Sequence, residues 1–264
     1  MSHSHLYQGF RFASVLPSIR AQREIQRKIL HILRIKTLLV LGCAFGDELA
    51  QLLEGITYMS SDISVTAIDL ASVEDALRAH TFAKVLGPHL KWRSLDLLDA
   101  AQLPEYGECD VVQCGFVLHD VPYDDKDRAM AVLSGAIRPG GHLIISDMFI
   151  SDKQDRLTEA CNIYDAFLSE ASSARNSGLL GAEEYRPLVG DGVQPGLHRS
   201  KKEATEGMRD FFDSLESLID RFRKAGLHIC RIEPNPINSS LSVILAVRPP
   251  TQRGLLDVGS SNVL

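Results

Sequence analysis

The sequence predicts an α/β domain with a doubly wound, mainly parallel sheet, and three observations carry that prediction. Thr37 to Gln51, TLLVLGCAFGDELAQ, joins a short unbroken apolar run to a glycine-containing turn and then to a helical pattern. Strand, turn and helix in that order form the front half of a nucleotide-cradling βαβ unit. Further short strand-like stretches at 64–69, 90–95, 109–116 and 142–150 alternate with helical stretches, as strands of a parallel sheet do. Finally, 264 residues with 45% apolar content suffice for one sizeable core with a smaller appended element.

The first strand and its turn set the terms for the rest. Leu38 to Leu41 reads as a strand buried on both faces. Gly42-Cys43-Ala44-Phe45-Gly46 turns the chain, and Asp47 onward begins a helix. A dinucleotide fingerprint would place Gly or Ala where Asp47 stands, against a pyrophosphate at the helix N-terminus. Asp47 and Glu48 would repel that pyrophosphate. They suit a ligand with positive charge, such as the ammonium and sulfonium of S-adenosylmethionine, and they disfavour NAD.

Composition narrows the partners. The formal net charge of −6 argues against a nucleic-acid backbone, which calls for a basic face. No apolar run reaches the length of a membrane span. The five cysteines, Cys43, Cys109, Cys114, Cys161 and Cys230, have no paired or metal-like spacing. An odd number in apolar contexts reads as buried, reduced thiols of a cytoplasmic protein, with no metal site. Met1 to Lys36 carries many arginines and lysines against the single acid Glu24, a composition shared by mitochondrial transit peptides. The favoured reading is an amphipathic helix whose Ile25, Ile29, Ile32 and Leu33 face the sheet, because the stretch runs straight into the first strand.

Taken in order, Ser64 to Asp69 is the second strand, ending in an acid. A carboxylate at that point of a nucleoside-binding sheet accepts both ribose hydroxyls, and the alternative is a capping or turn aspartate. A helix over 72–85 follows, then a third strand over 90–95 containing Trp92. His80 and His89 flank it as surface residues. Asp96 comes next, where an adenine-recognition acid would sit, with the following backbone N–H available to a ring nitrogen; the plainer reading is a loop aspartate. The fourth strand, Cys109 to Phe116, runs into Val117-Leu118-His119-Asp120-Val121-Pro122. Its carboxyl end should face the reactive group of a bound ligand. A helix over 124–137, a tight turn Arg138-Pro139-Gly140-Gly141 and a fifth strand over 142–150 complete this part.

The segments GCAFG, Asp69, SLD around Asp96, CDVVQCGFVLHDVP and IRPGGHLIISD together resemble the class I S-adenosylmethionine-dependent methyltransferases. The match covers about residues 35–150, and Asp213 to Val247 is similar to that family's closing segment, with AGL at Ala225 to Leu227. Ala44 departs from the more common glycine but is small enough for close backbone approach. The resemblance implies a seven-stranded sheet of order 3-2-1-4-5-7-6 with the last strand, 241–247, antiparallel. It implies S-adenosylmethionine as cofactor, held by Gly42, Cys43, Ala44, Gly46, Asp69, Leu70, Asp96, Leu97, Gly115 and Phe116. The implied organisation is an N-terminal helical lid (1–36), a cofactor-binding core (37–150), an inserted cover (151–212), the closing part of the core (213–248) and a disordered tail (249–264).

Within the insertion, 152–176 reads as a helix, and 177–200 is rich in glycine and proline. It would cover a small-molecule acceptor through Tyr185, His198 and Arg199. The alternative is a dimerisation arm, which would make the protein a homodimer. The segment LHDVPYDDKDRA resembles small-molecule O-methyltransferases, in which the histidine is the general base. That resemblance makes His119 the candidate base, consistent with an imidazole titrating near neutrality, with Asp120 beside it. A second resemblance, through FASVLPSIRAQREI, GCAFG and HRSKKEATEGMRDFFDSLESLIDRFRKAGL, is to carboxy-S-adenosylmethionine synthases, in which an arginine at about Arg199 would serve the new carboxylate. The expected function is therefore methyl transfer to oxygen or carbon of a small organic acceptor, as in specialised-metabolite biosynthesis. An unconventional use of the cofactor and a non-catalytic cofactor-binding subunit are the alternatives.

Overall fold

A computed structural model describes residues 16–42, 52, 63–69, 90–151, 155–182, 185, 189, 197–198, 201–202 and 211–250. Five segments form the parallel strands β1 (Thr37–Leu41), β2 (Ser64–Asp69), β3 (Leu90–Ser94), β4 (Cys109–Gly115) and β5 (Ile137–Ile150), all largely buried except the edge strand β3. A two-residue strand β6 (Asp213–Ser214) is followed by β7 (His228–Pro234) and β8 (Leu241–Val247). The order is β3-β2-β1-β4-β5-β8-β7, with β8 antiparallel to both neighbours. Apart from the short β6, which pairs in parallel with the end of β5, this is the expected sheet.

Four described helices cover it: α1 (Pro17–Leu33), α2 (Lys126–Ala136), α3 (Arg156–Asn176) and α4 (Leu215–Lys224). Strand alternation divides the core between the two faces. Leu39, Leu41, Val112, Cys114, Leu143 and Ile145 face α2 and α4, through Met130, Leu133, Leu218 and Phe222. Leu38, Val40, Val111 and Ile144 face α1, through Ile29 and Leu30. A third cluster seats α3 of the insertion on the carboxyl end of β5, through Ile163, Tyr164 and Phe167 against Met148 and Ile150.

Several elements differ from the sequence reading. Ile25, Ile29 and Leu33 do pack toward the sheet, but Ile32 is 70% exposed. The buried stripe of α1 runs through Ile19, Gln22, Gln26, Ile29 and Leu30, and the helical period carries Ile32 off it. The Arg138–Gly141 turn is a bulge inside β5: pairing passes from Cys109 with Ile137 directly to Val111 with His142. Gly140 takes φ +79°, and both sides of the bulge bond to Arg248, so sheet pairing continues across it. The helix expected from residue 124 starts at Lys126, after a 3₁₀ turn over Tyr123–Asp125. That expected from 152 starts at Arg156, where Asp155 caps it by accepting from the Thr158 amide. Cys109 and Cys114 are buried, Cys161 is half-buried, and Cys230 is exposed at the edge strand β7. The helices expected near 47 and over 72–85, His80, His89, and the tail from 251 lie outside the described residues.

Candidate active site

The carboxyl ends of β1, β2, β3 and β4 converge on a cavity of about 260 Å³. Gly42 and Asp69 line it, and Asp96 and Leu97 form another part of its wall with Leu95 and Leu98. Phe116, Val117 and Asp120 close the β4 side. This is the crevice beyond the strand ends where open α/β sheets bind ligands.

Local structure explains why these residues stand here. Gly42 ends β1 at φ +73°, and a Cβ on it would lie 1.9 Å from Val117 Cγ2, so only glycine lets the two strand ends approach. Asp69, the last residue of β2, is half-buried at the cavity wall. Asp96 is exposed and caps the 3₁₀ helix Leu97–Gln102, its Oδ1 accepting from the Leu98 amide at 2.8 Å. The capping reading of that aspartate is thus realised, and the residue still borders the cavity. Phe116 adopts φ +54°, a costly conformation for a non-glycine residue, and its amide is tied to the Ser146 carbonyl at 2.8 Å. That kink turns the chain out of β4 into the 3₁₀ turn Leu118–Asp120.

His119 sits in this turn beyond β4, with its side chain 1% exposed rather than open to the cavity. Its Nδ1 is 2.6 Å from Asp147 Oδ1, and its backbone amide donates to Asp147 Oδ2 at 3.3 Å. A carboxylate can only accept, so Nδ1 carries the proton in this contact, and whenever the ring is neutral the lone pair is on Nε2. Met148 N–H donates to Asp147 Oδ1 as well, at 2.8 Å. On the other edge of the ring, Nε2 is 3.7 Å from Oδ2 of Asp120, itself on the cavity wall. The Phe212 ring stacks on the imidazole with centroids 5.9 Å apart and planes at 23°.

Two more groups meet here. Lys126 is 2% exposed, and its Nζ lies 3.1 Å from Asp213 Oδ2 and 2.9 Å from the Leu118 carbonyl. Burial holds its ammonium below the ordinary lysine pKa, while Asp213 pulls it back up. Tyr123 donates to the Phe212 carbonyl at 2.9 Å, and the Arg156 guanidinium lies 4.1 Å over its ring. Burial raises the Tyr123 pKa, against the opposing pull of Arg156.

Gly42, Asp69, Asp96, Leu97, Phe116 and Asp120 thus share one cavity, with Gly115 buried at the end of β4 beside it. Tyr185 packs toward α3, its hydroxyl 3.3 Å from Ser172 Oγ, and His198 is exposed. Cys43, Ala44, Gly46, Asp47, Glu48, Leu70 and Arg199 lie outside the described residues. Sequence reasoning missed Asp147, Lys126, Phe212 and Asp213. The only signal for Asp147 was a carboxylate inside the apolar strand HLIISDMFI.

Among the described residues no helix is long and apolar enough to cross a membrane, and no group of three or more His, Cys, Asp or Glu side chains could hold a metal ion. Residues 39–143 match a methyltransferase domain family model. No curated protein matches the chain by sequence. Among solved structures, the chain is similar to an O-methyltransferase family protein from Burkholderia thailandensis, with 19% identity and a TM-score of 0.58 over 87% of this chain and 56% of that one. It is similar to the mitomycin 7-O-methyltransferase MmcR, with 15% identity and a TM-score of 0.54 over 88% and 53%. It also resembles a 1,6-didemethyltoxoflavin-N1-methyltransferase of Burkholderia thailandensis, solved with bound 1,6-didemethyltoxoflavin and S-adenosylhomocysteine, with 17% identity and a TM-score of 0.59 over 93% and 84%. The chain spans about half the length of the first two of these proteins. The strand order is thus that of the class I methyltransferase fold, and the match to a methyltransferase domain covers residues 39–143 of it.

Proposed function

We propose that the protein transfers a methyl group from S-adenosylmethionine to an oxygen or carbon of a small organic acceptor. The observation that carries this reading is the His119–Asp147 contact at the carboxyl ends of β4 and β5, beside the cavity bordered by Gly42, Asp69 and Asp96. The cavity's residues suit the cofactor. Asp69 is a half-buried carboxylate for the ribose hydroxyls, Gly42 leaves room for close backbone approach, and Leu95, Leu97 and Leu98 give the adenine an apolar wall beside Asp96. When bound, S-adenosylmethionine supplies an activated methyl group.

The chain's own residues then position the acceptor and take its proton. Asp147 holds the imidazole by Nδ1, which leaves the basic Nε2 on the edge toward Asp120. When Nε2 takes a proton, Asp147 and Asp120 both stabilise the imidazolium. In the insertion Tyr164, Phe167 and Phe212 pack in one buried cluster that reaches Phe116 of the cavity wall, and we assign Tyr185, His198 and Arg199 to a cover over the acceptor. The same reading takes residues 37–150 and 213–248 as the cofactor-binding core, and the protein as cytoplasmic and acting without nucleic acid.

The test is a panel of small phenols, enols and hydroxylated acids incubated with the protein and methyl-labelled S-adenosylmethionine. Label should enter at least one acceptor, and His119→Asn should suppress it. Binding of S-adenosylhomocysteine with no acceptor labelled and no demethylated cofactor formed would overturn the assignment.

A further inference from the structure

The insertion returns to the core at Phe211, and the three residues it delivers each take hold of the turn that carries His119. The Phe211 amide donates to the His119 carbonyl at 2.5 Å. Phe212 stacks on the imidazole and receives the Tyr123 hydroxyl on its carbonyl. Asp213 meets Lys126, whose ammonium also grips the Leu118 carbonyl. In register, Asp213 and Ser214 pair with Phe149 and Ile150, two and three residues after Asp147 in β5.

Lys126 is an unexpected residue for its place. It is the first residue of α2, where the helix dipole disfavours a cation, and it is buried, where a charge is costly. A buried ion pair stabilises a fold no better than well-packed apolar residues do, so stability does not account for it. What the pair supplies is directional: one ammonium bonded at once to the turn before α2 and to the strand after the insertion.

We propose that Lys126 and Asp213 are positioning residues, a buried latch that locks the His119 turn to the chain returning from the insertion, so that the imidazole keeps a single orientation only while that chain is docked. The proposal rests on the reading of His119 as the base. It also gives the insertion a second task, because docking the cover completes the base.

The test needs no acceptor. The full chain, labelled with ¹⁵N-histidine and saturated with S-adenosylhomocysteine, is examined by the ring-nitrogen spectrum of His119, assigned by its loss in His119→Asn. The parent should show one tautomer, protonated on Nδ1. The double variant Lys126→Met with Asp213→Leu replaces the latch by apolar side chains, while Arg221, 3.7 Å from Asp213, keeps its ion pair with Asp127. In it the loosened turn should carry the ring off Asp147 part of the time, so that its signals move toward the average of two tautomers, and the amides of His119–Val121 and Phe211 should exchange about tenfold faster or more. A folded double variant with an unchanged ring spectrum and unchanged exchange overturns the latch. Should that variant fail to fold, the parent decides: exchange of the Phe211, Asp120 and Val121 amides in one cooperative step supports it, whereas Phe211 opening about tenfold faster than the turn refutes it. Loss of the base reading is distinguishable, because His119→Asn with normal methyl transfer would remove the base while leaving the Phe211 amide and the turn coupled.

Discussion

Two aspartates sit at opposite ends of the central strands, and each is saturated with donors for a different purpose. Asp110, at the start of β4, accepts from the Lys36 and Thr37 amides at 2.8 and 2.9 Å, from the Thr37 hydroxyl at 3.1 Å and from Arg138 Nε at 2.5 Å. Asp147, near the end of β5, accepts from the His119 ring and amide and from the Met148 amide. The first ties backbone to backbone: the entry to β1, the start of β4 and the bulge of β5. The second holds an ionisable ring. The same carboxylate chemistry serves the scaffold at the amino ends of the strands and the site at their carboxyl ends, because only there do the strand ends leave a crevice.

The sharpest way to break this comparison is to neutralise both aspartates and compare what is lost. Asp147→Asn should cut methyl transfer by about two to four powers of ten, because the imidazole loses the group that sets its tautomer. His119→Asn should do the same while leaving S-adenosylhomocysteine affinity nearly unchanged in calorimetry. Equal turnover in both variants and the parent would mean that positioning alone drives transfer.

A smaller effect is expected at the cofactor end of the same crevice. Asp69→Ala should weaken S-adenosylhomocysteine binding by about 2–3 kcal/mol, the scale of charge-assisted hydrogen bonds lost together. Unchanged affinity in a folded variant would make Asp69 a strand-end residue with no part in binding.

At the scaffold end the loss should appear in stability. Burial alone would raise the Asp110 pKa, but the amides of Lys36 and Thr37 and the Arg138 guanidinium together hold it below the usual carboxylate range. A depressed folded-state pKa contributes stability that is present above the unfolded value, about 3.9, and lost as pH falls through the folded value. Asp110→Asn should therefore lower the urea midpoint at pH 7 and remove that part of the acid-side slope. Its S-adenosylhomocysteine affinity should match the parent's. Weaker binding would show that the two ends of β4 are not independent.

The smallest effects separate the buried stripe of α1 from its outer face. Ile29→Ala, in the cluster behind β1, should cost about 2–5 kcal/mol of stability by denaturant titration. Ile32→Lys should change it by about 0.5 kcal/mol or less, since the side chain is already in solvent.

What sequence alone determined is whatever depends on short range. Five short stretches bounded by turn signals made five strands, and β2, β8 and the glycine at φ +73° stand where pattern and steric need put them. The places of Asp69 and Asp96 at the cavity were legible because the first ends β2 and the second follows β3 by two residues, and a strand's carboxyl end has a fixed place in such a sheet. Tertiary structure decided the rest. Asp147 is 28 residues from His119, and Asp213 is far beyond both; a carboxylate in an apolar run does not name its partner. The bulge at Arg138–Gly141 followed from pairing with β4 and Arg248, which a local turn signal does not encode. The enclosure of His119 likewise depends on Phe212, delivered by the insertion. Local propensity sets which segments extend and where they end, but a buried charge is tolerated only where distant segments bring its counterpart, and only the folded chain determines where that is.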